Sequence, residues 1–237
     1  MKKQAEQLLL REELKNWYML LRLRQGYIDE CEIDGGSVRL HDRETDKYLY
    51  AVKDFDAFCR LYAQVRDREG LLLSLVTDDR FLADIPAHDA TLQADAFYQL
   101  RAATGVAVKP VDGVRFVPME MRHADWILSV YEHPELSREM IAERSSRAPA
   151  IVAERGGEPV GFIMTHCDAE LGPAFVDPRI RGAGLATQLY ARIMEALTER
   201  GIQPAVFTTE QNERSRRWLT HLGCESAPSR VIWFWRP

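Results

Sequence analysis

The fold is decided by the stretch Ala174-Phe175-Val176-Asp177-Pro178-Arg179-Ile180-Arg181-Gly182-Ala183-Gly184-Leu185-Ala186-Thr187. A short apolar strand runs into a tight turn carrying a proline and two glycines, and that turn opens a helix. Leu189, Ile193, Ala196 and Leu197 follow at helical spacing and give the helix one apolar face. Gly182 and Gly184 let the backbone curl and turn successive N–H groups outward with no Cβ in the way. The first N–H groups of a helix lack internal partners, and the helix dipole is positive there. A strand, glycine turn and helix in this order form a seat for an anion, best suited to a phosphate or pyrophosphate.

Spacing narrows the ligand. A dinucleotide fold uses G-x-G-x-x-G with an acid about 20 residues on; here Thr187 stands where the third glycine belongs, and no suitable acid follows. A P-loop ends in Gly-Lys-Ser or Gly-Lys-Thr, and the turn has no lysine. What stands is Arg179-x-x-Gly182-x-Gly184, which resembles the R/Q-x-x-G-x-G/A acyl-CoA signature of the GNAT acetyltransferase superfamily.

The order of elements after Val114 is similar to that superfamily's. Strand Val114–Met119 precedes helices near His123–Tyr131 and Ser137–Arg144, and strands follow at Ala150–Glu154, Val160–His166 and Leu171–Val176. A long helix from Gly184 to Glu199, strand Ala205–Thr209, helix Asn212–Leu222 and strand Val231–Trp235 complete the half. Gly156-Gly157 marks a hairpin, and Gly201 and Gly223 close helices. Asn212-x-x-Ser215…Gly223 looks like the superfamily's second cofactor motif. The resemblance spans roughly residues 112–237 and implies an α/β fold with a mixed sheet.

The resemblance also implies chemistry: an N-acetyltransferase that takes acetyl-CoA as cosubstrate and acetylates a small amine or amino acid by direct attack in a ternary complex. The N–H groups of Arg181, Gly182, Ala183, Gly184, Leu185 and Ala186 would cradle the pyrophosphate, with Thr187 adding a hydroxyl. Val176 N–H would face the thioester carbonyl, and the backbone at Phe175 and Val176 would pair with pantetheine like an added strand. Arg179 and Arg181 would bias the local potential toward phosphate, or remain solvated turn charges. Asn212 and Ser215 would lie beside the pantetheine arm; an N-cap and a first-turn polar residue is the plainer alternative.

An amine of pKa ~10 must lose a proton before attack, so a carboxylate base is expected. Glu170, just before the strand that leads to Val176, ranks first, then Glu210, then Asp168; each also reads as a strand-end surface acid. His166 is a neutral-pH base by type. Where the family pattern commonly has a tyrosine to protonate the leaving thiolate, this chain has Leu219, so a water, Ser215 or Tyr190 would substitute. That departure keeps a second reading open, a non-catalytic acyl-CoA-binding regulator.

Composition fits a globular protein: 237 residues, 46% hydrophobic, 28% charged, net charge −5. The acidic balance argues against a nucleic-acid partner, and no run approaches the length of a membrane helix. Cys31, Cys59, Cys167 and Cys224 are scattered, so neither disulfides nor a metal site is expected, and the cytoplasm is the default. A connector at Val106–Gly113 divides an accessory N-terminal α/β domain, 1–110, from a catalytic domain, 111–237.

In the N-terminal half, residues 2–24 read as one helix with Leu10, Leu14, Trp17 and Leu21 on one face, packing on its own domain or contacting a second copy in a homodimer. Ser37–His41 and Tyr48–Lys53 read as a hairpin, and Phe55 to Val65 as an amphipathic helix. Leu71–Thr77 reads as a strand and Leu92–Ala103 as a helix. This order is similar to part of the acetyltransferase order, so the half reads as a degenerate second copy, an arrangement resembling glycine N-acyltransferase-like proteins. With no Gly-rich turn between Leu75 and Leu92, it is expected to bind no CoA. His41, His88 and Asp78-Asp79 read as surface or capping groups. The alternation of Ile232 and Phe234 with Trp233 and Trp235 predicts one buried face, the other being core or acceptor-cleft lining.

Overall fold

The computed structural model describes residues 1–68, 73–131, 136–166 and 170–236. The chain opens with α1 (Lys2–Leu9) and α2 (Trp17–Arg24) rather than one long helix. The break has a local cause: Asn16 Nδ2 donates to the Leu9 carbonyl at 3.0 Å, so a side-chain amide takes an acceptor at the helix end. Leu10 is then left 42% exposed, off the buried face of Trp17, Tyr18, Leu20 and Leu21.

An antiparallel meander follows: β1 (Ile28–Asp34), β2 (Ser37–Asp42) and β3 (Lys47–Ala51). Strand β1 carries no clear apolar signal in the sequence, because its acids Asp29, Glu30 and Glu32 hide the buried Ile28 and Cys31. Next come α3 (Phe55–Ala63), β4 (Leu73–Val76) parallel to β3, the short α4 (Asp84–His88) and β5 (Gln93–Arg101). The segment expected as a helix over Leu92–Ala103 is thus a strand. Its Ala, Gln and Leu content favours a helix, but strands on both flanks complete its backbone hydrogen bonding, and tertiary pairing overrides propensity.

The second half contains β6 (Val114–Pro118), α5 (Ala124–Val130), α6 (Arg138–Arg147), β7 (Ala150–Arg155), β8 (Glu158–Thr165) and β9 (Leu171–Val176). It continues through α7 (Leu185–Thr198), β10 (Ala205–Thr209), α8 (Glu213–His221), β11 (Glu225–Ser226) and β12 (Val231–Trp235). These elements match the expected order closely, because glycines and prolines punctuate this half at nearly every boundary.

Two sheets result, one ordered β6-β7-β8-β9 and one ordered β1-β2-β3-β4-β12-β5-β10, with β11 paired to β5. The element order repeats. Two helices, a three-strand meander, a crossover helix, a strand, a further helix and a strand occur first as α1 to β5 and again as α5 to β11. The element order of the N-terminal half is therefore similar to that of the C-terminal half.

The chain divides into two compact units, Met1–Arg101 with Phe207–Pro237, and Ala102–Val206. The connector at 106–113 falls inside the second of these. In the first unit, β12 lies between β4 and β5 and is buried on both faces. Phe234 packs against Phe58 and Tyr50, at ring separations of 5.7 and 6.0 Å. On the other face, Trp233 meets Tyr18 and Phe207 at 5.9 and 5.5 Å. His41, expected at the surface, is also buried here, between Asp29 and Asp46 at 2.7 and 2.8 Å.

In the second unit, Phe162, Val152 and Met164 pack with Ile127 and Ile141 of α5 and α6. On the opposite face lies α7, seated over Gly161. A Cβ at Gly161 would meet the Phe175 carbonyl at 3.0 Å and Leu189 Cδ1 at 3.2 Å, so the close approach of helix to sheet depends on that glycine.

Candidate functional site

The stretch quoted at the outset folds as an edge strand leading into a helix start, all within the second unit. β9 pairs with β8 on one side, Gly161 opposite Val176 and Phe162 opposite Phe175. Asp177 N–H donates to the Val160 carbonyl at 2.9 Å, which fixes the alternation of the antiparallel ladder. Asp177 and Phe175 turn their backbone groups toward β8, and Val176 and Ala174 turn theirs toward the open edge. Of the two residues predicted to pair like an added strand, Val176 offers its backbone and Phe175 does not. Ala174, missed in the sequence, takes the place of Phe175. Phe175 contributes its ring instead, 6.0 Å from Trp126 and 6.3 Å from Phe162.

Toward its start β9 carries a bulge: Ile163 faces Ala174 and Thr165 faces Leu171, so two steps on β8 span three on β9. Such bulges re-aim backbone groups beside active sites. The signal in the sequence was Gly172-Pro173 inside a strand. Beyond the bulge, Glu170 makes a parallel bridge to Ala205, also in this unit.

After β9 the chain makes a single 3₁₀ turn, Pro178–Ile180, capped by Asp177, and then runs through Gly182 and Gly184 at φ +87° and +85°. Gly184 is the N-cap of α7, and no side chain caps that helix. Among the described residues, the N–H groups of Gly182, Ala183, Gly184, Leu185 and Ala186 have no protein acceptor. A Cβ at either glycine would meet nothing within 4 Å, so the turn is open on the side of those two positions. Thr187 lies one residue deeper in the first turn and is half-buried. Five unpaired amides at the positive end of a fourteen-residue helix fit a pyrophosphate.

The two arginines differ. Arg179 bonds back to the Asp177 carboxylate through Nε at 3.0 Å and Nη2 at 2.5 Å, and its guanidinium holds that carboxyl down to about 2. Arg181 makes no ion pair among the described residues; its Nε donates to the Val176 carbonyl at 3.0 Å, and its guanidinium stands 5.9 Å from the Phe175 ring.

The candidate bases fall in different surroundings. Glu170 precedes β9, its side chain 17% exposed and 4.0 Å from His166 Nε2, which lies 3.4 Å from Arg144 Nη1. Asp168 lies outside the described residues, as does Cys167. Glu210, in the first unit, is bonded to Arg230 Nη1 at 3.0 Å. Asn212 and Ser215 also belong to the first unit. There Asn212 is the N-cap of α8 and accepts from Ser215 N–H at 3.3 Å, the plainer of the two alternatives weighed for it. Tyr190 is fully buried and donates to the Ala103 carbonyl at 2.9 Å, which makes it a core residue rather than a proton source. Leu219 is buried.

The matching helix start in the N-terminal half is built differently. It lies between β3 and α3, at residues 52–57, and not in the expected place between Leu75 and Leu92, because the helix that joins parallel strands β3 and β4 is α3. Asp54 caps α3, accepting from Ala57 N–H at 2.8 Å, so a fixed carboxylate fills the place of an anion. β3 and β4 also pair over four consecutive residues, whereas the only pairing recorded between β9 and β10 among the described residues is the Glu170–Ala205 bridge.

Residues 119–224 match the model of the acetyltransferase (GNAT) family. A comparison with curated proteins gives no match. Among solved structures, a Drosophila protein aligns with TM-score 0.70 and 14% identity over 100% of this chain and 97% of its own. A GCN5-related N-acetyltransferase-like protein from Streptococcus suis gives 0.53 and 15% over 98% and 99%. A GCN5-related N-acetyltransferase from Kribbella flavida gives 0.54 and 15% over 93% and 95%. At these identities the likeness is one of fold, and it extends over both halves of the chain.

Proposed function

From the premise that residues 119–224 are a GNAT acetyltransferase domain, an acyltransferase by family, we propose that the protein transfers an acetyl group from acetyl-CoA to the primary amine of a small molecule or amino acid. The observation that carries this reading is the continuity of the open edge of β9 with the unpaired amides of Gly182 to Ala186. The amides receive the pyrophosphate, and Ala174 and Val176 receive the pantetheine amides by strand addition. The bound thioester supplies the acyl group.

Glu170 is the general base in this reading. It stands at the far end of β9 from the amides, about 20 Å along an extended strand. Over that distance Val176 N–H and Glu170 cannot serve one reacting carbonyl, so Val176 belongs to the pantetheine end. Stabilisation of the carbonyl oxygen falls to the bulge beside Glu170. Glu210 ranks lower because Arg230 already occupies its carboxylate. The amine attacks directly in this reading; among the described cysteines, Cys31 and Cys224 are buried, and burial pushes the Cys59 thiol up, against use as a nucleophile. With Tyr190 committed to the core, water protonates the leaving thiolate, and turnover is slow.

The test is calorimetric titration of acetyl-CoA into wild type and Gly182→Trp, followed by thiol release with a panel of amines. Binding by wild type alone, with amine-dependent release that Glu170→Gln abolishes, upholds the reading. Binding with no amine ever acetylated would favour the regulator, a reading that the buried Leu219 in place of an acid supports.

A further inference from the structure

We propose that Arg181 is a displaceable plug that makes entry of the donor depend on its pyrophosphate, an inference that rests on the acyl-CoA reading of this site. The Val176 carbonyl points to the open edge of β9, where an entering pantetheine amide finds its acceptor. Arg181 Nε already holds that carbonyl at 3.0 Å, and the guanidinium lies along the Phe175 ring. The donor's added strand and the Arg181 side chain therefore compete for one acceptor.

The neighbouring arginine shows why this contact is the releasable one. Arg179 is bound to a carboxylate through two nitrogens, a charge-assisted bidentate pair. Arg181 is held by one hydrogen bond to a neutral carbonyl, which is worth little net in water. It is also the residue immediately before Gly182, the first of the unpaired amides, so an anion seated there is within reach of the freed guanidinium. A pyrophosphate there attracts the guanidinium away from the strand edge. A thioester lacking phosphates must displace Arg181 with nothing to receive it. Arg181 thus selects a pyrophosphate-bearing donor over a bare pantetheine thioester.

The coupling is measured on the wild-type protein by titrating pantetheine with and without saturating inorganic pyrophosphate. One freed hydrogen bond predicts that pyrophosphate tightens pantetheine about fivefold, and pantetheine tightens pyrophosphate by the same factor. In Arg181→Met, which keeps the apolar stem, pantetheine binds about fivefold tighter than to wild type and the coupling vanishes, while CoA binds about tenfold weaker for want of the guanidinium. A matching thermal midpoint establishes that the variant is folded. Pantetheine and pyrophosphate binding independently or competitively in wild type overturns the plug while CoA binding still stands. Wild type that fails to bind CoA overturns the plug and the acyl-CoA reading together.

Discussion

Glu154 on β7 is buried, its side chain 1% exposed, and three donors converge on it: Arg115 Nη2 and Arg122 Nη1 at 2.7 Å and His123 Nε2 at 3.2 Å. His123 Nδ1 accepts from Glu120 N–H at 2.9 Å, which puts the ring proton on Nε2, facing the carboxylate. The hydrogen bond from Arg115, with those from His123 and Arg122, holds the Glu154 carboxyl down to about 2, against about 4.3 in an unfolded chain. A carboxyl depressed by folding stabilises the native state above its unfolded pKa and loses that contribution as pH falls toward the folded one. Denaturant unfolding should therefore show Glu154→Gln less stable than wild type at pH 7, with the gap closing between about pH 4 and pH 2. A gap independent of pH would mean that the charge is not what holds the cluster. At this scale, the sequence made the seat legible through the spacing of Arg179, Gly182 and Gly184. It did not reveal what each charge faces, because Asp177 on Arg179 and Arg230 on Glu210 are choices among many carboxylates and guanidiniums.

Helices α3 and α7 each follow a three-strand meander and begin in opposite ways. Asp54 caps one; Gly184, with no side chain to offer, leaves the other open. Replacing Asp54 by alanine should cost about 1 kcal/mol of stability in thermal unfolding and leave acetyl-CoA affinity unchanged. Ala183→Asp should do the reverse, placing a carboxylate before the amides and weakening binding at least tenfold, with stability changed by less than about 0.5 kcal/mol. Equal effects of the two on affinity would contradict the assignment of the seat to α7 alone. How α7 reaches its position is a matter of Gly161: a valine there should destabilise by about 1–3 kcal/mol, since the Phe175 carbonyl and Leu189 leave no room, and a neutral outcome would show that helix and sheet can part. Elements were readable where Gly or Pro ended them, as throughout the second half. They were misread where local composition and pairing disagree, as in β5, whose helix-forming residues are held extended by the strands on either side.

The last strand is what no local pattern predicts. Ile232 to Trp235 alternate as a strand should, but which strands receive them is set by the whole chain. β12 pairs with Ser74 and Leu75 of β4 on one edge and with Ala94 to Phe97 of β5 on the other, more than 130 residues back in the sequence. The first unit therefore cannot complete its sheet until both ends of the chain are present. Contacts of such separation are slow to form, since loop closure must be met before they stabilise anything. Phe234 reports on this arrangement, being fully buried among Tyr50, Phe58 and Tyr62. Phe234→Ala should cost about 3–5 kcal/mol. Native-state hydrogen exchange should then quicken in β3, β4, β5 and β12, while amides of β7 and β8 keep their protection, because those strands belong to the other compact unit. Loss of protection in β7 and β8 to the same extent would mean that the two units unfold as one. In that case the first unit would be needed to keep the second one folded.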